Sequence, residues 1–197
     1  MVSKVLSLIK KVFTVELVPV KYRPMTQLFM LINLVVFILQ ILNPNITETY
    51  VYRYDVWYSY VTACFLHGGV GHLVGNMMFL AFIFPAIERR YGSLFLFVAY
   101  IVTGAFGSML CAYWNPEMMG LGASGSIMGL MMIWIFHNLF TWRFLLIIPA
   151  LMYFMKEGVF SGITLIFPDG IGHLAHYGSG LGSFLFIPWM VYKRVRK

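Results

Sequence analysis

Charge is scarce in this chain. Only 11% of its 197 residues are Asp, Glu, Lys or Arg, against roughly a quarter in an ordinary soluble domain. Acids are rarest, seven against fourteen basic residues, for a formal net charge of +7. So few charges cannot clothe a water-facing surface, which excludes a conventional soluble globule. Cysteine is scarce too. Cys64 and Cys111 are too few for the disulfide framework of a small secreted domain, although the two could pair if both faced an oxidising side. There is no internal repeat, no low-complexity tract and no HExxH string to supply a zinc-bound histidine pair with a base. The first apolar run ends in LQILNPN, without a small-residue cleavage pattern, and is expected to stay as an anchor.

What is abundant is apolar. The chain is 60% hydrophobic, with a mean hydropathy of +0.81 and 18 Phe, 12 Tyr and 5 Trp. That suits one membrane domain with aromatic belts. A spanning helix needs about 20 mostly apolar residues. Runs at 26–42, 71–88, 93–113, 124–140, 144–160 and 173–192 predict six spans. The expected fold is all-α, a polytopic six-transmembrane-helix bundle. Its core covers 26–192, between a basic N-terminal segment 1–25 and a basic tail 193–197.

The basic residues sit in short clusters between apolar runs, so they read as topology signals rather than as a nucleic-acid footprint. Twelve of the fourteen fall on one side: Lys4, Lys10, Lys11, Lys21 and Arg23, then Arg89 and Arg90, then Arg143, then Lys193, Arg194, Arg196 and Lys197. The positive-inside rule makes that side cytoplasmic and places both termini there. Glu48, Asp55, Glu117 and Asp169 fall opposite. The first outer loop, YVYRYDVWYSY, carries Tyr and Trp that favour the headgroup zone. Lys156 and Glu157 are read as marking the outer end of the fifth span, near Met155.

Spans two, four and six all start outside and run inward. Their outer ends read HGGVGHLVGN, GASG and GIGHLAHYGSG, so His67, His72, Asn76, Ser124, His173 and His176 can share one depth. Polar groups there are costly unless paired, so their convergence implies a site. A metal site is one reading, but HGGVGH spaces its histidines by five and spreads them over different helix faces. Helix packing is a second: Gly125-x-x-x-Gly129 and the strip of Ala175, Gly178, Ser179, Gly180, Gly182 and Ser183 would let helices approach closely. A nucleophile and base is a third. Ser124 begins span four, where free N–H groups and the helix dipole favour a developing anion. His176 lies on span six above the small residues, which would bring it near enough to take the serine's proton.

These residues together resemble the rhomboid family of intramembrane serine proteases, over roughly 55–190. HGGVGHLVGNMMFL is similar to the family's HxxxN segment at His72 and Asn76. AIERRYGS is similar to its Glu-then-Gly-Ser stretch at Glu88, Gly92 and Ser93. GASG matches GxSG at Gly122, Ser124 and Gly125, and AHYGSGLGS resembles AHxxGxxxG at His176, with Ser179 and Ser183 where Gly is usual. The Trp-Arg pair common in the family's first loop is replaced by Tyr58-Ser59, and Trp57 beside it is expected to substitute in part.

The resemblance implies peptide-bond hydrolysis in or beside a substrate's transmembrane helix. Ser124 is the implied nucleophile and His176 the base, as a dyad. The Ser124 N–H, His72 and Asn76 hold the oxyanion. Gly122, Gly125, Gly129, Glu88, Ser179, Gly180 and Ser183 serve packing. It also implies that span five and the FSGITLIFPDG loop gate access. Expected partners are transmembrane protein substrates and the lipid bilayer, with no cofactor, no metal and no nucleic acid. The expected location is a bacterial plasma membrane, with the site opening to the non-cytoplasmic side. The rival readings are an inactive rhomboid-like scaffold that binds membrane proteins and, from another class, a small transporter.

Overall fold

The computed structural model describes residues 23–138 and 172–195, with Met152, Met155 and Lys156 between them. Among these residues the chain is helical, and its one strand-like contact is an isolated bridge between Tyr52 and Gly120. Three described helices are long and apolar enough to cross a membrane: α1 (Pro24–Leu42), α4 (Val70–Tyr91) and α5 (Ser93–Trp114). Short helices α2 (Asn45–Tyr50) and α3 (Ser59–Thr62) lie in the first loop. Then come α6 (Ser124–Asn138), α7 (His173–Gly182) and α8 (Ile187–Val195). The expected fifth span and the loop after it lie outside the described residues, apart from Met152, Met155 and Lys156.

The sixth run is not one regular helix. A 3-10 turn, Ser183–Phe186, separates α7 from α8. Pro188 is the second residue of α8. It has no N–H for the carbonyl of Phe184, and its ring crowds that carbonyl, so the chain tightens before it. Pro85 sits inside α4, where neighbouring helices cover it. Gly92 closes α4 at φ 96°, a left-handed conformation that favours glycine, and α5 starts at the next residue.

The end of the bundle where α1 starts and α4 stops is tied by a buried carboxylate. Glu88 accepts from the N–H groups of Met25 (2.7 Å) and Thr26 (2.9 Å), and from the hydroxyls of Thr26 (2.6 Å) and Ser93 (2.7 Å). Two of those donors are orphan N–H groups of the first turn of α1. Glu88 thus caps one helix, ends a second and holds the start of a third.

The core is aromatic: Phe29 stacks on Tyr100 with ring centroids 4.2 Å apart, and Phe84 meets both edge-on. Helices α5, α6 and α7 approach through small residues. A methyl group at Gly107 of α5 would overlap the Ser179 hydroxyl and the Ala175 carbonyl of α7. One at Gly129 of α6 would overlap the Thr103 side chain of α5, and one at Gly104 the hydroxyl of Ser126. Gly180, Gly182 and Ser183 are buried in the same strip.

Candidate active site

The segment 120–123 is irregular, turning at Ala123, and helix begins at Ser124. Two backbone bonds hold it: Tyr52 N–H donates to Gly120 O (2.9 Å) and Gly122 N–H to Ala63 O (2.9 Å). Gly122 has φ 128°, and a Cβ there would stand 2.7 Å from His72 Cε1 and 2.9 Å from Nε2. Backbone conformation and close approach both require glycine at this position. The same point is 3.5 Å from Ser124 Oγ. One atom placed there can therefore touch the edge of the His72 ring and the Ser124 hydroxyl together.

Ser124 Oγ lies 2.7 Å from His176 Nε2. His176 stands in the first turn of α7, with the ring of His173 edge-on at 6.3 Å. His72 and Asn76 project one turn apart from the first two turns of α4. All four line a cavity of about 660 Å³, together with Gly122 and Gly125. Asn76 is buried, and its Nδ2 has no protein partner. A buried amide N–H without a protein partner, on a residue of the cavity wall, is a donor awaiting an acceptor.

Glu88, Gly129, Ser179, Gly180 and Ser183 stay outside the cavity wall. Glu88 is sixteen residues along α4 from His72, about 24 Å. Ser179 sits between two helices. Its nearest glycine neighbour is Gly107 of α5, and Gly125 of α6 lies on its other side, where a Cβ would stand 3.0 Å from Oγ. Its hydroxyl donates to Ala175 O (2.8 Å), which satisfies it inside its own helix. Trp57 is 83% exposed on the protein, its ring edge-on to Tyr58. Ser59 is fully buried, and its Oγ bonds the backbone of Arg53 and Val56, which ties the loop to itself.

Cys64 and Cys111 are free, and both touch the cavity. Burial pushes the Cys64 thiol up to about 11, so it is not a thiolate at neutral pH. Burial, and after it the neighbouring His72, push the His67 imidazole down to about 4, so that ring is neutral at neutral pH.

Sequence reading missed three contributors: Gly104 and Gly107, which let α5 into the site's support, and Gln40, whose amide bonds the backbone of His67. A glutamine near the end of an apolar run was the available signal, since an unpaired amide is costly in lipid.

The family model that matches is that of the Rhomboid domain, over residues 54–194. The chain is 30% identical to RHOMBOID-like protein 1 of Arabidopsis thaliana over 143 residues, covering 70% of this chain and 36% of that protein. It is 29% identical to Rhomboid-like protease 5 of Toxoplasma gondii, covering 68% and 16%. It is 24% identical to Inactive rhomboid protein 1 of Danio rerio, covering 80% and 18%. The chain spans well under two thirds of the length of these relatives. All three are eukaryotic and lend no support to the bacterial location expected from the sequence.

Proposed function

The chain belongs to the rhomboid family, and on that premise we propose that it is an intramembrane serine endopeptidase. It would cleave peptide bonds in or next to transmembrane segments of other membrane proteins. The observation that carries this reading is the 2.7 Å approach of Ser124 Oγ to His176 Nε2, in a cavity that His72 and Asn76 also line.

In this reading Ser124 Oγ attacks the scissile carbonyl carbon as its proton passes to His176 Nε2. The carbonyl oxygen becomes an oxyanion, which accepts hydrogen bonds from the Ser124 backbone N–H, His72 Nε2–H and Asn76 Nδ2–H. His176 then gives its proton to the departing amine as the C–N bond breaks, leaving an acyl-serine. A water attacks the ester, its proton goes to His176, and collapse frees the acid and returns the proton to Ser124 Oγ. The machinery is a dyad and uses no cofactor. It works in a six-helix bundle with both termini cytoplasmic, its site opening to the other side of the membrane.

The detergent-solubilised chain, treated with a fluorophosphonate probe, should label at Ser124, and Ser124→Ala should not label. The Danio rerio relative is named as inactive, and an inactive scaffold is the reading that an unlabelled folded chain would support.

A further inference from the structure

Gln40 is a buried amide in the last turn of α1. Both ends of that amide meet the backbone of a single residue. Nε2 donates to His67 O (3.1 Å), and Oε1 accepts from His67 N–H (3.0 Å). Nε2 also donates to Thr47 Oγ1 (2.9 Å). The next peptide N–H, that of Gly68, donates to His72 Nδ1 at 3.4 Å. The His67 ring stands tilted against the His72 ring, with centroids 5.2 Å apart.

A neutral imidazole carries one N–H, and the nitrogen that accepts a hydrogen bond is the one without it. Acceptance at Nδ1 puts the His72 proton on Nε2, and the Cε1–Nε2 edge is the one that faces Gly122 and Ser124. With the proton on Nδ1 instead, Nε2 would present a lone pair to an anion and repel it.

We propose that Gln40 is a positioning residue for the oxyanion site. By clamping the His67 backbone it aims the Gly68 N–H at His72 Nδ1, and so holds His72 in the tautomer that offers Nε2–H to the reacting carbonyl. The inference rests on the protease reading above. At 3.4 Å the Gly68 bond is long, and hydrogen bonds weaken steeply as geometry degrades. A small shift of the 67–68 peptide therefore breaks it, and the clamp prevents that shift.

Two substitutions test this in the full chain in detergent. Gln40→Met keeps the length and removes both bonds to His67; Gln40→Glu keeps the acceptor and loses the donors. Fluorophosphonate labelling of Ser124 is timed for each, alone and combined with His72→Ala. Gln40→Met should slow labelling on the order of tenfold or more, and Gln40→Glu by less. Neither should change the rate of His72→Ala by more than about twofold, because residues that act through one another do not add. Nitrogen-15 histidine NMR, with the His72 signals identified by their loss in His72→Ala, should show the Nε2–H tautomer in wild type and a tautomer mixture in Gln40→Met. If Gln40→Met does not fold, the Gln40→Glu cycle and spectrum decide alone. Full slowing in the His72→Ala background, or an unchanged tautomer in the folded variant, overturns the proposal. A wild-type chain that labels while the losses add overturns this inference alone; one that does not label overturns the protease reading with it.

Discussion

Ser179 of α7 lies so close to Gly107 of α5 that a methyl group on Gly107 would overlap both its hydroxyl and the carbonyl oxygen of Ala175. A side chain could rotate away, but a backbone carbonyl inside a helix cannot. His176 is one residue beyond that carbonyl, so the contact sets where the imidazole stands relative to Ser124.

Gly107→Ala should therefore push α7 off α5 and carry His176 with it. A displacement of about 1 Å at a catalytic hydrogen bond costs on the order of 10²-fold in rate. Fluorophosphonate labelling should fall by about that factor and thermal stability should drop. Ser179→Gly and Ser179→Ala should stay within a few-fold of wild type, whereas Ser179→Leu should lose labelling. Wild-type labelling by Ser179→Leu would show that α7 does not depend on this contact.

Ser124→Ala and His176→Ala should each abolish cleavage of a transmembrane substrate while leaving the helical circular dichroism unchanged. The double variant should be no worse than either single one, because the pair works as a unit. Turnover by folded Ser124→Ala would remove the serine from the nucleophile's role.

Asn76→Ala removes an unpartnered donor in the cavity wall. Loss of one oxyanion donor typically costs about 10²–10³ in kcat. The substitution should lower kcat by about that amount with little change in KM. A KM effect alone would make Asn76 a substrate-binding residue instead.

His67 links stability to acid. Its folded pKa, about 4, lies below the ordinary histidine value near 6.5. Below about 6.5 the unfolded state binds the proton and the folded state does not, so stability falls as pH drops toward 4. It is fully present above that window. Thermal melts between pH 7 and 4 should show a fall that is smaller in His67→Phe, whose ring cannot take a proton. Equal slopes in the two proteins would place the acid sensitivity elsewhere.

Glu88→Ala should be among the most damaging single changes far from the cavity. It leaves two backbone N–H groups and two hydroxyls without their acceptor, and each buried orphan costs about 1–3 kcal/mol. The melting temperature should fall by more than for Gly107→Ala. Glu88→Gln, which keeps an acceptor oxygen, should recover part of the loss.

The sequence by itself determined the solvent and the residue types of the candidate site. Scarce charge and long apolar runs force a membrane protein, since that property belongs to composition and not to shape. The residue types of the site were legible at Ser124, His176, His72 and Asn76, because short spacings on a helix decide which side chains share a face and a depth. Only the tertiary structure decided the contacts between distant segments. Periodicity records which face of a helix is apolar but not which partner covers it. Hence the insertion of Gly107 against Ser179 and the capping of α1 by Glu88 could not be read from spacing, whereas shared depth and the small-residue strip already pointed Ser124 toward His176, and the fold fixed their distance at 2.7 Å. Gln40 makes the same point. Its amide marked a polar interruption in an apolar run, but its partner lies 27 residues away, and the chain's path alone brings the two together.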